Sequence, residues 1–424
     1  MAATSAAEII AVGSEMLGAT RQDTNSLYIT RRLNEVGIPV RAKAVVGDSA
    51  DDLASVLASA LTRADLVVLT GGLGPTDDDV TRDAVSRVLR RPLHEDPAIL
   101  ERLRARFASR GLDMPPLNRR QAMVPEGAEV LLNPHGTAPG LWIEEPEHVV
   151  VLLPGPPREL EPMLDALVRE RLERRGEGLR LLTRITRVAG RTESHVEMAA
   201  QPLYERWRRE HRAIDVTILA APGTIDLHLT VRVRDVLDGN AVLDAAVGDL
   251  REVFGEDLYS GSGEPMEEVV GSLLREGHHT IAVAESCTGG LLLSRLTDVP
   301  GSSAYVDRGV ITYSNEAKTA WLGVAAELIA VHGAVSEPVA QAMAAGIRTR
   351  ANATLAVGVT GIAGPTGGTP EKPVGTVVIA VETPWGRSVR TRRFSGGREQ
   401  VKWHASSAAM DDVRRALLRA RDGR

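Results

Sequence analysis

The chain has 424 residues, 43% of them hydrophobic, 25% charged and 3% aromatic, with a formal net charge of −6. That length exceeds one ordinary core and predicts about three domains. The acidic balance and the scarcity of rings argue against a surface that attracts nucleic acid or anionic membrane, or that stacks bases.

The N-terminal MAATSAAEIIAVGSEMLG lacks a basic n-region, so its short apolar run reads as a first strand rather than a signal peptide. No apolar stretch approaches the ~20 residues that a membrane helix needs. A single cysteine permits no internal disulfide and fits a reducing compartment. The expected location is cytoplasmic.

From position 8, short apolar runs alternate with amphipathic ones: EIIAVGSEML and TNSLYITRRLNEVG, PVRAKAVVG and SADDLASVLASALTRA, DLVVLTGG and DVTRDAVSRVLRR. Strands separated by helices predict right-handed βαβ units and a mostly parallel sheet. GAEVLLNP, APGLWIEE and HVVVLLPGPP read as further strands and EPMLDALVRERLERR as a closing helix, which places a first domain at 1–172. The charged run RERLERRGEGLR reads as a solvated helix end.

Residues 173–262 read as a small α+β module in βαββα order, with a hairpin turning near Pro222 and Gly223 and a flexible joint at SGSGEP. Residues 263–424 return to α/β alternation. Its strands are TIAVAES, AYVDRGVITY, ATLAVGVTG and GTVVIAVET, and REQVKWHASSAAMDDVRRALLRA is a terminal helix.

Two glycine-rich loops carry the chemistry. In TGGLGPTDDDVT, Gly71, Gly72 and Gly74 let backbone approach a ligand, and a helix starting between Asp77 and Val80 offers N–H groups to a phosphate. Asp77, Asp78 and Asp79 stand at the same point and would repel that phosphate unless a divalent cation bridged them. Capping of the helix by these acids is the competing reading. His135, in a Gly/Pro loop with no partner at metal-site spacing, reads as loop structure. Asn118-Arg119-Arg120-Gln121 is either a set of phosphate donors or an exposed helix.

In TIAVAESCTGGLLLSRL, a strand running to Glu285 and a helix from Thr288 or Gly289 put Ser286 at a strand's carboxyl end, where α/β sheets bind ligands. Turn N–H groups there are candidates to hold an oxyanion. Cys287 points the other way by strand alternation and reads as a core residue.

TGGLGPTDDDVTRDA resembles the pterin-binding loop of MoaB/MogA-like proteins, and LPGPPREL their LPG-x-P loop. With GSEMLGATRQDTNS and NPHGTAPG, the match narrows to the N-terminal domain of the CinA (competence/damage-inducible) family. AESCTGGLL, VITYSNEAK, GVTGIAGPTGGTPEKPVGTV and FSGGRE resemble the C-terminal domain of that family, and the likeness spans nearly the whole chain.

The resemblance implies an α/β fold: a MoaB/MogA-like parallel or mixed sheet, a small KH-like α+β module without a GxxG loop, and an α/β CinA domain. It implies a nicotinamide mononucleotide (NMN) amidase in the C-terminal domain, with Ser286 as nucleophile, Lys318 as base, Tyr313 orienting the proton and Thr360 binding the intermediate. Gly289, Gly290, Gly361, Gly364 and Arg398 would hold the substrate, Arg398 its phosphate or a site carboxylate. This domain would need no cofactor.

For the N-terminal domain it implies a metal-dependent ADP-ribose pyrophosphatase. Asp79 matches the family's acidic position, with Asp78, Asp77, Asp23 and Glu15 as further candidate ligands of Mg, Mn or Co. Asn25, Thr76, Gly71, Gly72 and Gly74 would bind substrate. The implied partners are small nucleotides and a second copy of the chain, with no nucleic acid and no membrane. The alternative is a nucleotide- or pterin-binding interaction protein of competence or DNA damage, with one or both domains inactive.

Overall fold

The computed structural model describes residues 6–421 and 423. Met1–Ser5, the start of the expected first domain, lie outside the described residues. The chain divides into two compact units: Met1–Leu182 with Val231–Ala241, and Thr183–Thr230 with Val242–Arg424.

The first unit is built on a six-stranded sheet. Its strand order is Val40–Val46, Ala7–Val12, Leu66–Thr70, Val149–Leu153, Gly140–Glu144 and Glu129–Leu131. The first four run parallel and the last two antiparallel. Three central strands are buried at every position, which is why IIAV, LVVLT and VVVLL read as unbroken apolar runs. Successive residues serve opposite faces. Ile10, Val67 and Leu69 pack with Leu53, Leu57, Val85 and Leu103, while Ile9, Leu66 and Val68 pack with Ile29, Leu33, Leu160 and Leu164.

In the second unit a five-stranded sheet has the order Val306–Ile311, Ile281–Glu285, Leu355–Gly361, Thr376–Thr383, Gly386–Arg393. The first three are parallel and the last two antiparallel. Branched residues (Ile281, Val283, Val357, Ile379) face the helices Met266–Glu276 and Arg398–Arg421. Small ones (Ala282, Ala284, Ala356) face the helix Glu337–Ala351. Gly358 sets that close approach, because a Cβ there would lie 2.4 Å from the Ala340 carbonyl oxygen. The strands Arg180–Ala189, Ile214–Ala221, Thr224–Val233 and Leu258–Ser260 form a separate four-stranded sheet in the order second, third, first, fourth.

Several expectations change. SGSGEP is a tied turn rather than a flexible joint: Ser260 is buried, and its hydroxyl accepts from the N–H groups of Gly263 and Glu264, both at 2.9 Å. The RERLERR run is amphipathic rather than solvated throughout, with Leu172 and Arg175 buried. GRSVRTRR, not assigned from the sequence, is an edge strand. Arg392 and Arg390 reach the buried Asp412 at 2.8 and 3.4 Å.

Candidate functional site

In the first unit a cavity of about 600 Å³ lies where the strands ending at Val12 and Thr70 meet the Pro154–Pro157 loop. This is the carboxyl edge of a parallel sheet, the usual ligand position in such folds. Gly71 has φ 99°, and a Cβ there would stand 2.2 Å from the Val12 carbonyl oxygen, so only glycine allows the turn.

The helix after this loop begins at Thr81, later than the expected Asp77 to Val80. The three acids therefore precede the helix and have different surroundings. One Asp79 oxygen accepts from the Gly74 N–H at 2.6 Å. The other accepts from the Thr76 N–H at 2.8 Å and the Thr76 hydroxyl at 2.6 Å. Asp79 thus closes the loop on itself, and Thr76 serves that closure. Asp77 has a 98% exposed side chain, pairs with Arg120 at 2.7 Å and is not part of the cavity wall.

Glu15, Asp23, Asp78 and Asp79 do line the cavity, with Gly71, Gly72, Gly74 and Asn25. Asp23 accepts the Ser26 N–H at 2.9 Å. The Asn25 side-chain amide donates to the Gly155 carbonyl at 2.7 Å and to Thr70 Oγ1 at 3.1 Å, joining two walls.

Sequence reasoning missed Glu159, Thr137 and Arg82. It left Gln121 undecided, because a buried amide has no periodic signature. The 118–121 cluster is a 3₁₀ turn with Asn118 and Gln121 buried rather than an exposed helix. Gln121 donates to Thr137 Oγ1 at 3.0 Å, and both line the cavity. Glu159, also on the wall, accepts from the Asn133 amide at 2.8 Å. Arg82 lies buried under the loop and donates to the Leu73 carbonyl at 2.7 Å. Burial pulls its pKa down to about 10, with Asp79 opposing, so it stays cationic at neutral pH. His135 is exposed. Its N–H donates to the Asn133 side chain and its carbonyl accepts from Arg106, at 3.0 and 2.9 Å.

Among the described residues no group of three or more His, Cys, Asp or Glu stands together as a metal cage. The cavity's donors are carboxylate oxygens, which suit a hard divalent cation. Mg²⁺-type ions are commonly held by one or two carboxylates and completed by substrate phosphates and water. The donor set fits a site completed by substrate.

In the second unit the strand Ile281–Glu285 ends on a buried carboxylate. Glu285 accepts from the N–H groups of Gly290 (3.0 Å), Leu292 (3.2 Å) and Leu293 (2.8 Å), capping the helix Leu291–Thr297 from inside. The helix starts later than the expected Thr288 or Gly289, and those N–H groups are not available to an oxyanion. Between strand and helix, Gly289 and Gly290 take φ 65° and 95°, the left-handed region that favours glycine.

Ser286 sits at the strand end, 7% exposed, its N–H donating to the Val359 carbonyl of the adjacent strand at 2.9 Å. Lys318 is 1% exposed. It lies on the helix Asn315–Leu322, whose N-terminus is capped by the Ser314 hydroxyl accepting the Ala317 N–H at 3.1 Å. Its Nζ stands 3.1 Å from Ser286 Oγ, and it donates to the carbonyls of Thr312 at 2.9 Å and Tyr313 at 3.4 Å. Burial lowers its pKa from the ordinary lysine value. A neutral amine has two N–H bonds and one lone pair. In a neutral amine those two N–H bonds would go to the carbonyls and the lone pair to the Ser286 hydroxyl, whereas in the ammonium the third N–H donates to Ser286 Oγ.

Cys287, beside it, packs in the core with Leu292, Val359 and Ala363, and burial pushes its thiol up to about 12. It is therefore a poor nucleophile at neutral pH. Gly361 makes room for it: a Cβ there would lie 2.9 Å from Cys287 Sγ. Arg398 donates to the Tyr313 hydroxyl at 2.8 Å and the Gly364 carbonyl at 2.9 Å, drawing three motifs together. Thr360 is buried, and its hydroxyl donates to the Ala334 carbonyl at 2.9 Å.

Residues 8–174 match a family described as probable molybdopterin binding domain, and residues 263–417 match the CinA C-terminal domain. A CinA-like protein of Koribacter versatilis is 46% identical over 417 residues, covering 97% of this chain and 100% of its own. The chain belongs to the CinA family. A second CinA-family relative, a putative competence-damage inducible protein of Symbiobacterium thermophilum, is 46% identical over 426 residues, covering 97% of this chain and 99% of its own. The fold is accordingly mixed α/β, a MoaB/MogA-like domain and a CinA C-terminal domain in one chain. Among the described residues no helix is long and apolar enough to cross a membrane.

Proposed function

We propose that this CinA-family chain hydrolyses two pyridine-nucleotide breakdown products. Its C-terminal site deamidates NMN to nicotinate mononucleotide and ammonia without a metal. Its N-terminal cavity cleaves the pyrophosphate of ADP-ribose with a divalent metal. The observation that carries the amidase reading is the buried Lys318 Nζ, 3.1 Å from Ser286 Oγ, with its pKa lowered and its N–H groups occupied.

In this reading Ser286 Oγ attacks the carboxamide carbon while its proton passes to Lys318 Nζ. The former carbonyl oxygen becomes an oxyanion. Cys287 and Thr288 supply the turn N–H groups that the Glu285 carboxylate does not take. Collapse breaks the C–N bond, and Lys318 returns the proton to the leaving nitrogen as ammonia. Lys318 then takes a proton from water, whose oxygen attacks the Ser286 ester and releases nicotinate mononucleotide. The proton goes back to Ser286.

For the cavity, one or two of the lining carboxylates Glu15, Asp23 and Asp78 would hold a cation together with the pyrophosphate, and that cation would neutralise charge on the phosphate oxygens. Asp79 and Arg82 hold the loop against which the phosphates would lie. One observation favours a second reading of this cavity. Asp79 is committed to its own loop and no three acids converge, as suits a pocket that binds a nucleotide or pterin without turnover.

Purified protein given NMN, or ADP-ribose with Mg²⁺, is expected to release ammonia from the first and AMP plus ribose 5-phosphate from the second. Calorimetric binding of ADP-ribose without product would establish the second reading and overturn pyrophosphatase activity.

A further inference from the structure

The helix Arg398–Arg421 places a second cation over the nucleophile turn. Lys402 follows Arg398 by one helical turn and so shares its face. A Cβ built on Gly289 would lie 3.7 Å from Lys402 Nζ and 4.0 Å from its Cε, which sets the ammonium directly above the turn that begins at Ser286. Lys402 is half-buried, and among the described residues it has neither an acidic partner nor a hydrogen bond.

The surrounding charges sharpen the point. Glu285, the acid next to the turn, is buried, and three N–H groups occupy its oxygens, while Glu399, beside Arg398 on the terminal helix, is exposed to water. The Arg398 guanidinium is held by two uncharged acceptors, the Tyr313 hydroxyl and the Gly364 carbonyl, so its charge is also uncompensated locally. Two cations one helical turn apart, the half-buried Lys402 over the nucleophile turn and the exposed Arg398 at the helix start, favour an anion in that space.

We propose that Lys402, together with Arg398, forms the anion subsite that takes the 5′-phosphate of the mononucleotide, so that the C-terminal site selects a nucleotide over its dephosphorylated riboside. This rests on the amidase reading for its substrate. Lys402 touches the phosphate and not the reacting carboxamide. Its loss therefore weakens binding of phosphate-bearing ligands and leaves the Ser286–Lys318 pair in place.

Two measurements test it. In steady-state kinetics, Lys402→Gln is expected to raise the KM for NMN roughly 10- to 100-fold, the range for losing one charged hydrogen bond. The kcat should change less than about threefold, and the NMN-to-riboside preference in kcat/KM should collapse by the same factor. Lys402→Arg should restore most of the preference. In calorimetry on the Ser286→Ala background, which turns nothing over, nicotinate mononucleotide should bind with Lys402 present and weaken by the same factor with Gln. Equal losses for nucleotide and riboside, or undiminished mononucleotide binding by the Gln variant, would overturn the subsite. Lys402-dependent binding in a protein that releases no ammonia from NMN would sustain the subsite and sink the amidase reading instead.

Discussion

The two glycine-rich loops leave the carboxyl ends of buried parallel strands and each is closed by an aspartate or glutamate, but the closures have different results. In the first loop Asp79 bonds Gly74 and Thr76, and Asp78, with Glu15 and Asp23 from the loop after the first strand, lines an open cavity. In the second loop Glu285 caps the following helix, and the space beyond it is filled by a buried lysine against a serine. The first loop and its neighbours therefore present carboxylates to a cavity, and the second sets a buried lysine against a serine, the pair proposed above as base and nucleophile. The lesson is that a carboxylate beside a glycine-rich loop can belong to the loop's own architecture. Its neighbours decide the chemistry.

The comparison is broken most directly at the serine. Ser286→Ala is expected to lower the rate on NMN by about 10⁴-fold or more. Lys318→Ala should fall as far, and the double variant no further, because nucleophile and base act as one unit. Additive losses in ammonia release would separate the pair.

Chelator should abolish ADP-ribose cleavage and leave NMN deamidation unchanged, since carboxylates crowd only the first loop. If both activities disappear together, the contrast between the loops is wrong.

The two neighbouring acids sharpen the contrast further. Asp78→Ala should lose roughly 10-fold or more in ADP-ribose cleavage at limiting metal, as expected for loss of one carboxylate from a site completed by substrate, and recover with excess metal. Asp79→Ala removes the acceptor of three loop hydrogen bonds, so excess metal should not restore it. Equal rescue of both variants would show that Asp79 acts as a ligand rather than a clasp.

The pH profile bears on the second loop alone. If Lys318 acts as the proposed base, its neutral form is the active one, and since burial lowers its pKa the rate on NMN should rise with pH through a midpoint below the ordinary lysine value. A midpoint at or above that value would mean an exposed, unassisted amine.

The smallest effect is expected at the thiol. Cys287→Ala should keep activity within about threefold of the parent and lower stability by about 1–2 kcal/mol, a small core truncation read by thermal melting. A well-folded but inactive Cys287→Ala, beside an active Ser286→Ala, would transfer the role to sulfur.

Local pattern determined much of this protein. Unbroken apolar runs such as LVVLT and VVVLL announced central parallel strands, because burial on both faces removes alternation. Glycines at 71, 72, 289 and 290 marked the loops, because left-handed turns exclude other residues. The roles expected of Ser286 and Lys318 came from the family resemblance of their motifs and not from local pattern.

Other features depend on side chains that meet only after folding. The helix after the second loop begins later than its local pattern suggests because a carboxylate from the preceding strand, Glu285, takes the N–H groups at its start. Gln121 and Glu159 reach the cavity through buried polar contacts that leave no periodicity. Lys402 was not singled out in the sequence, and its place is set only by the terminal helix lying against the Gly289 turn. Lys318 owes its lowered pKa to the same cause: burial is a property of the packed chain, and no local stretch of sequence carries it.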